Sequence, residues 1–189
     1  MIRRYRASDL PELRRICLLT GNAGGDATGL YSDDGLLPDI FLEPYVTFLP
    51  DTAWVLDLGD GPVGYLVGAL DTAAFASVWR ESWVPELARR HPVVPAAELW
   101  LLEWEPTPVD GYPAHLHIDL LPAAQGGGWG RALLRELGAA AVAEGVPGIH
   151  LGMSADNAGA LAFYERLGFG VLRAEADVLV LGIAPAGLL

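Results

Sequence analysis

Residues 116–134 read LHIDLLPAAQGGGWGRALL and combine a strand pattern, a glycine-rich turn and the start of a helix. The apolar run over residues 116–121 is typical of a strand, and Pro122 ends it. Leucine, alanine and valine then recur close to helical spacing over residues 131–144. A helix N-terminus behind such a turn presents unpaired backbone N–H groups and the positive end of the helix dipole. The stretch therefore indicates a phosphate site, and an ordinary glycine-rich loop is the alternative in a chain with 23 glycines.

A second informative segment, residues 157–169, reads NAGALAFYERLGF. It predicts a short helix that begins after Asp156 or Asn157 and ends at Gly168. Asn157 and Tyr164 are seven positions apart, so a helix places them on one face, two turns from each other. Asn157 is alternatively no more than a helix cap, and Tyr164 a core residue whose hydroxyl has a partner.

Together the two segments resemble the GCN5-related N-acetyltransferase (GNAT) family. The family pattern V-x-P-x-x-Q/R-x-x-G-x-G/A is matched over residues 120–130, with Leu120 in place of the usual valine. The later pattern N-x-x-A-x-x-F-Y-x-x-x-G-F is matched over residues 157–169, and a strand-like segment, residues 148–153, lies between the two. The order and spacing of both patterns make this resemblance specific.

Further stretches resemble the acetyltransferase-like C-terminal domain of animal O-GlcNAc hydrolases and its stand-alone bacterial relatives. These stretches are residues 5–9, 33–35, 54–56, 64–65 and 70–85. The animal domains look degenerate in the glycine loop, whereas the loop is intact in this chain. That difference favours cofactor binding.

The resemblance implies acetyl-coenzyme A as cofactor, with its pyrophosphate on the backbone amides of the glycine loop and its pantetheine along the end of the preceding strand. It also implies that Asn157 contacts the pantetheine arm and that Tyr164 lies near the thioester sulfur, where it can protonate the leaving thiolate. The expected cofactor-binding residues are Leu120, Leu121, Gln125, Gly126, Gly127, Gly128, Trp129, Gly130, Arg131, Asn157, Phe163 and Tyr164.

The implied reaction is direct attack of a neutral amine on the acetyl thioester, which needs a base, donors for the oxyanion and an acid. Residues 114–120 alternate, so His115, His117 and Asp119 share one strand face. We predict Tyr164 as the acid and His117 or Asp119 as the base, since histidine titrates near neutral pH. Many family members instead carry a glutamate in the opposite register of this strand. The alternative for the three polar residues is a polar strand face covered by a loop.

The fold expected from the resemblance is a mixed α/β GNAT fold. Its central twisted sheet would have six or seven mostly antiparallel strands flanked by helices, with a helical insertion at about residues 71–112 between strands 3 and 4. Residues 1–189 are expected to form a single acetyltransferase domain. Trp104 of the insertion, with Asp33 and Asp34 of a glycine-rich loop, are the candidate acceptor-binding residues. The alternatives are that the tryptophans of the insertion form a satellite core and that the two aspartates lie in a solvated turn.

Composition excludes several classes of function. A formal net charge of -12 without a basic cluster argues against a nucleic-acid partner. A single cysteine excludes an intrachain disulfide and a cysteine-rich metal site, and no metal is expected. No run of about 18 apolar residues and no signal sequence is found, which predicts a cytoplasmic protein without membrane contact. Whether the chain forms a homodimer stays open.

Two functions therefore remain. The first is an acetyl-coenzyme A-dependent N-acetyltransferase that acts on a primary amine of a small molecule, an aminosugar or a peptide. The second is a non-catalytic acetyl-coenzyme A-binding module that senses the cofactor or mediates an interaction. The fold alone does not choose between them.

Overall fold

The computed structural model describes residues 1–175 and 177–189, and its strands form one seven-stranded sheet in the order β1-β2-β3-β4-β5-β7-β6. All neighbours are antiparallel except β4 and β5, which are parallel. The expected mixed α/β fold with a mostly antiparallel sheet is thus confirmed. The strands are β1 (Ile2–Arg4), β2 (Ala53–Asp57), β3 (Pro62–Ala69), β4 (Ala114–Leu120), β5 (Ile149–Ser154), β6 (Gly170–Glu175) and β7 (Val178–Ile183).

Helices flank the sheet on both faces. They are α1 (Leu10–Thr20), α2 (Leu36–Phe41), α3 (Glu43–Phe48), α4 (Thr72–Val78), α5 (Val84–Arg90), α6 (Leu99–Leu102), α7 (Trp129–Ala143) and α8 (Ala158–Arg166). Helix α8 has the predicted caps, because the Asn157 side chain accepts a hydrogen bond from the Ala160 N–H and Gly168 has a φ of +94°. Helix α7 begins at Trp129, two residues before the predicted start.

Two hydrophobic cores lie on the two faces of the sheet. One lies under α1 to α5 and includes Tyr45 and Tyr65, and the other lies under α7 and α8 and includes Leu134 and Leu181. The alternation predicted for β4 decides which side chains enter each core. His115 contacts the first core through Tyr45, while Leu116 belongs to the second. The polar residues of β4 therefore face the side that carries α1 to α5.

The predicted helical insertion lies between β3 and β4 and contains α4, a π-helical turn (Trp79–Trp83), α5 and α6. Trp79 and Trp83 are buried in the first core. The Trp83 indole N–H also donates to the C=O of Asp39 over 2.7 Å. The insertion is consequently part of the main core and not a separate satellite.

Burial of Trp79 leads to a stability prediction. Replacement by alanine leaves a large cavity, so Trp79→Ala should lower the free energy of unfolding by about 3–5 kcal/mol in urea denaturation. Trp100 of the same insertion is 52% exposed and serves as the matched control. Trp100→Ala should change the stability by less than about 1 kcal/mol. Equal losses in the two variants would contradict the packing described for the insertion.

Candidate functional site

The two central strands of the sheet separate soon after they meet. β4 and β5 are paired at only two positions, Ala114 with Ile149 and His115 with His150, although β4 continues to Leu120. Beyond His115, the backbone edge of β4 that faces β5 has no strand partner among the described residues. The sheet therefore opens a cleft at the carboxyl end of β4, where the glycine loop begins.

The glycine loop presents a row of backbone donors at this cleft. The first helical hydrogen bond of α7 runs from the Ala132 N–H to the C=O of Gly128 over 3.1 Å. Within the described part of the chain, none of the six N–H groups from Gly126 to Arg131 makes a well-formed hydrogen bond to a protein acceptor. Neighbouring unpaired N–H groups at the start of a 15-residue helix bind anions.

Glycine is required at two positions of this loop. Gly126 and Gly128 have φ values of +77° and +79°, a region that residues with a Cβ rarely adopt. A Cβ built on either residue would meet no atom within 4 Å, so the space beside the backbone is open. The Gln125 side chain donates to the C=O of Leu120 over 3.0 Å and ties the loop to the end of β4.

Gly130 has a different role, because it allows α7 and α8 to approach each other. A Cβ at Gly130 would lie 2.9 Å from Cζ of Phe163 and 3.7 Å from Cδ1 of Leu120. Trp129 lies beside Gly127, where a Cβ would come within 3.0 Å of the indole. Several residues predicted to bind the cofactor, from β4, the loop and α8, are thus brought together.

Asn157 and Tyr164 lie on the helix that follows β5. Asn157 caps α8 through its side-chain oxygen, as the alternative interpretation holds, and its Nδ2 lies 3.4 Å from the position of a Cβ on Gly24. The Tyr164 ring is buried between Phe163 and Phe169. Burial, and then the charge of Asp119, raises the pKa of its hydroxyl, which keeps the proton at neutral pH.

The Tyr164 hydroxyl is nevertheless not fully enclosed. Among the described residues it has no hydrogen-bond partner, and every buried side-chain nitrogen or oxygen in that part of the chain has one. The oxygen therefore keeps a small exposed area although the ring is buried. This geometry differs from that of a core tyrosine whose hydroxyl is satisfied, and it leaves the hydroxyl free to meet a ligand.

Side chains of α2 and α3, and Trp104 in the loop that follows α6, contact the polar face of β4. The Tyr65 hydroxyl donates to the Asp119 carboxylate, and burial raises the pKa of Asp119 above its ordinary value. Burial, and then the charge of His150, lowers the pKa of His117 to about 4, so its ring is neutral at physiological pH. The candidate base residues are therefore a half-buried carboxylate with increased proton affinity and a neutral imidazole.

Trp104 lies beside this face, as its predicted substrate role requires. Its ring centroid is 5.0 Å from that of Phe41 and 5.8 Å from that of His117, and Phe41 is 5.4 Å from His117. The rings of Trp104 and Phe41 thus form an aromatic wall next to the candidate base His117.

Asp33 and Asp34 are held elsewhere. Asp33 lies 3.0 Å from Nδ1 of His91, and Asp34 accepts a hydrogen bond from the N–H of Gly29. Both line a surface cleft together with Arg90 and His91. Among the described contacts, none joins either aspartate directly to Trp104 or His117.

Two residues near the candidate base escaped the sequence analysis. Tyr65 binds Asp119 and Tyr45 binds His117. Tyr65 lies directly opposite Asp119 in the pairing of β3 with β4, so correct strand pairing would have identified it. Tyr45 lies on α3 and has no comparable signal, because only the packing of that helix on the sheet brings it to β4.

Comparison with known proteins identifies the relatives of this fold. Residues 30–169 match the model of the acetyltransferase (GNAT) family. The crystal structure of a protein named SsHAT is 40% identical, with a TM-score of 0.91 over 98% of each chain. Naa20 from Chaetomium thermophilum, solved with a bisubstrate analogue, is 22% identical with a TM-score of 0.59, over 97% of this chain and 86% of Naa20. The ribosomal-protein-S18-alanine N-acetyltransferase from Escherichia coli is 18% identical with a TM-score of 0.52, over 97% and 92%.

The last two similarities show the fold alone. In the described residues, no helix has both the length and the apolar character needed to cross a membrane. The same residues contain no group of three or more histidine, cysteine or acidic side chains placed to hold a metal ion.

The raised pKa of Asp119 predicts that this residue lowers stability at neutral pH. The folded protein binds the Asp119 proton more tightly than the unfolded chain, whose ordinary value is 3.8, so ionisation costs stability as the pH rises through the folded pKa. Each tenfold increase in proton affinity corresponds to about 1.4 kcal/mol. Asp119→Asn should therefore increase the free energy of unfolding at pH 8, and the gain should disappear as the pH falls toward 3.8.

Asp9 provides the control with the opposite sign. The hydrogen bond from Arg3 lowers the pKa of Asp9, so Asp9→Asn should lose stability at neutral pH. The measurement is urea denaturation of both variants between pH 3.8 and pH 8. If Asp119→Asn lowers stability equally at every pH, ionisation of Asp119 has no cost in the folded state.

Proposed function

Since the chain belongs to the acetyltransferase (GNAT) family, we propose that it is an acetyl-coenzyme A-dependent N-acetyltransferase that acts on a primary amine. The observation that carries this proposal is the row of unpaired N–H groups from Gly126 to Arg131 at the open edge of β4. Candidate base and acid residues, Asp119 and Tyr164, lie on β4 and α8, the strand and the helix that border the cleft. A phosphate cradle next to groups that can exchange protons suits acyl transfer.

The residues of the cleft fit acetyl-coenzyme A, which supplies the acetyl thioester. The pyrophosphate would accept hydrogen bonds from the loop amides, with Arg131 nearby, and the pantetheine would lie along the unpaired edge of β4 toward Asn157. A net charge of -12 repels such an anion at long range. Binding must therefore come from these local donors and from the positive end of α7.

The side chains of the cleft divide the proton transfers between them. Asp119 or His117 would take a proton from the substrate ammonium, and the solvent-accessible hydroxyl of Tyr164 would donate one to the departing thiolate. Trp104 and Phe41 would contact the substrate, because the faces of aromatic rings attract an ammonium group. The acidic surface favours a cationic substrate over a neutral one.

The class of amine includes small molecules, aminosugars and peptides. A peptide or protein amine gains support from the Escherichia coli neighbour, which is an alanine N-acetyltransferase of ribosomal protein S18. We further propose a relationship to the C-terminal domain of O-GlcNAc hydrolases, supported by sequence similarity along the N-terminal half. The buried free thiol of Cys17 is compatible with a cytoplasmic setting.

A non-catalytic module that binds acetyl-coenzyme A is the second candidate. It would need the glycine loop but would not need the accessible hydroxyl of Tyr164 or the polar face of β4. Those features favour the enzyme.

Cofactor binding is tested by Gly128→Ala. A Cβ at a φ of +79° strains the backbone by about 1–2 kcal/mol, and relief of that strain turns the loop amides away from the phosphate. Gly145 at the other end of α7 is the matched control, since its φ is +69° and a Cβ there also meets nothing within 4 Å. Both variants should lose similar stability, but only Gly128→Ala should weaken acetyl-coenzyme A binding in calorimetry, by about tenfold or more. If the unmodified protein binds no acetyl-coenzyme A, the proposed function is wrong.

Acid catalysis is tested by Tyr164→Phe, which removes the hydroxyl and retains the packing of the ring. Turnover should fall by about a hundredfold, whereas acetyl-coenzyme A affinity should be unchanged because the loop is intact. Tyr5→Phe, next to the edge strand β1, is the control and should retain full turnover. Full activity in Tyr164→Phe would remove this residue from the mechanism. A protein that binds the cofactor tightly but acetylates nothing in a broad panel of amines would instead be the binding module.

A further inference from the structure

A chain of hydrogen bonds runs from His117 into the core and ends on a backbone carbonyl. Nε2 of His117 lies 3.1 Å from the Tyr45 hydroxyl, which lies 2.7 Å from Nε2 of His115. Nδ1 of His115 lies 2.7 Å from the Thr72 hydroxyl, which donates to the C=O of Pro113 over 2.7 Å. The chain connects β4 with α3 and α4, and no carboxylate hydrogen-bonds to any of its four side chains within the described residues.

The carbonyl at the end determines the direction of every hydrogen bond. A carbonyl only accepts, so the single hydrogen of the Thr72 hydroxyl points to Pro113, and the Thr72 oxygen accepts from the Nδ1–H of His115. His115 is neutral, because burial without an ionic partner disfavours its charged form, so its Nε2 carries no hydrogen. The Tyr45 hydroxyl must then donate to this Nε2, and the Tyr45 oxygen accepts the Nε2–H of His117.

The consequence is a defined tautomer of His117. A neutral imidazole has one N–H, and here it is on Nε2, so Nδ1 carries a lone pair. Nδ1 has no protein partner in the described part of the chain, where every buried side-chain nitrogen or oxygen has one, so it is open to solvent. The His117 ring, which carries this Nδ1, packs against Phe41 and Trp104.

We propose that Tyr45, His115 and Thr72 are positioning residues that hold His117 in the tautomer whose Nδ1 accepts a proton from the substrate amine. This inference rests on the proposed acetyl transfer. In the step, an N–H bond of the substrate ammonium breaks, an Nδ1–H bond forms, and the neutral amine retains the lone pair for attack. His117 becomes an imidazolium whose Nε2–H stays on Tyr45.

The same chain prevents the proton from moving inward. Its last acceptor is the amide carbonyl of Pro113, which does not take up a proton, so the chain orients His117 and does not conduct. The proton on Nδ1 must leave through the cleft to water. The hydrogen-bond chain thus fixes the protonation of one nitrogen atom. Thr72, at its far end, determines the tautomer of His117 through His115 and Tyr45.

Thr72→Val tests this proposal at a distance from the cleft, because valine has the shape of threonine without the hydroxyl. Nδ1 of His115 then faces a methyl group, and a buried N–H without an acceptor is less tolerable than a lone pair without a donor. His115 should move its hydrogen to Nε2, Tyr45 should turn its hydroxyl toward His117, and His117 should move its hydrogen to Nδ1. Thr72→Ser retains the hydroxyl and is the matched control.

The tautomers are read by NMR of protein labelled with ¹⁵N-histidine, since a protonated and an unprotonated ring nitrogen have distinct chemical shifts. The spectrum of His117→Gln identifies the His117 signals among the four histidines. Unmodified protein and Thr72→Ser should show hydrogen on Nε2 of His117, and Thr72→Val should show it on Nδ1. Turnover should fall by about tenfold or more in Thr72→Val and stay near normal in Thr72→Ser.

Hydrogen on Nδ1 of His117 in the unmodified protein would overturn the proposal, and this measurement does not depend on the folding of any Thr72 or Tyr45 variant. Unchanged His117 signals and unchanged turnover in folded Thr72→Val would overturn it too. Tyr45→Phe is the second variant. Without the Tyr45 hydroxyl, His117 should no longer be restricted to the tautomer with hydrogen on Nε2, whereas His115 should keep its hydrogen on Nδ1. If the tautomers are as expected but the unmodified protein acetylates no amine, the proposed function fails while the structural assignment of His117 stands.

Discussion

The candidate site depends on the separation of β4 from β5. Two paired positions hold the parallel strands together, and the backbone of β4 beyond His115 then has no strand partner on that side. Because the glycine loop follows β4 and α8 follows β5, this separation places the start of α7 and the face of α8 on opposite sides of one opening. Because Gly130 has no side chain, α7 and α8 approach each other at the base of this opening. A Cβ on Gly130 would lie 2.9 Å from Cζ of Phe163. Tighter pairing of the strands would close the cleft.

The polar face of β4 places titratable groups where burial disfavours their charged forms, which has a free-energy cost. Burial raises the pKa of Asp119 and lowers that of His117, so both residues are less charged than they would be in water. Hydrogen bonds from Tyr65 to Asp119 and between Tyr45 and His117 compensate for part of this cost. Stable proteins fill such positions with apolar side chains unless the polar groups have another use. Local disagreement with good core packing is expected at a functional site.

The sequence predicted the features that local patterns encode. The glycine loop, the alternation along β4 and the caps of α8 at Asn157 and Gly168 follow from residue types at short spacing. Contacts between distant elements have no such signal. Tyr45 is 70 positions from His115, and Thr72 is 43 positions from it, and only the packing of α3 and α4 on the sheet brings them together. Asp33 and Asp34 show the same limit, since their acidic character was evident but the cleft that they line was not.

The hydrogen-bond chain behind His117 bears on whether the molecule is an enzyme or a binding module. A phosphate cradle requires only backbone N–H groups at a helix N-terminus, and it functions equally well beside an apolar strand. A buried row of four side chains that leaves a single accessible nitrogen has no purpose in binding a pyrophosphate. Such a row is costly if any member lacks its partner, because every buried donor must be satisfied. It controls which ring nitrogen of His117 carries the lone pair, and that distinction matters to proton transfer. The arrangement therefore favours catalysis over cofactor sensing.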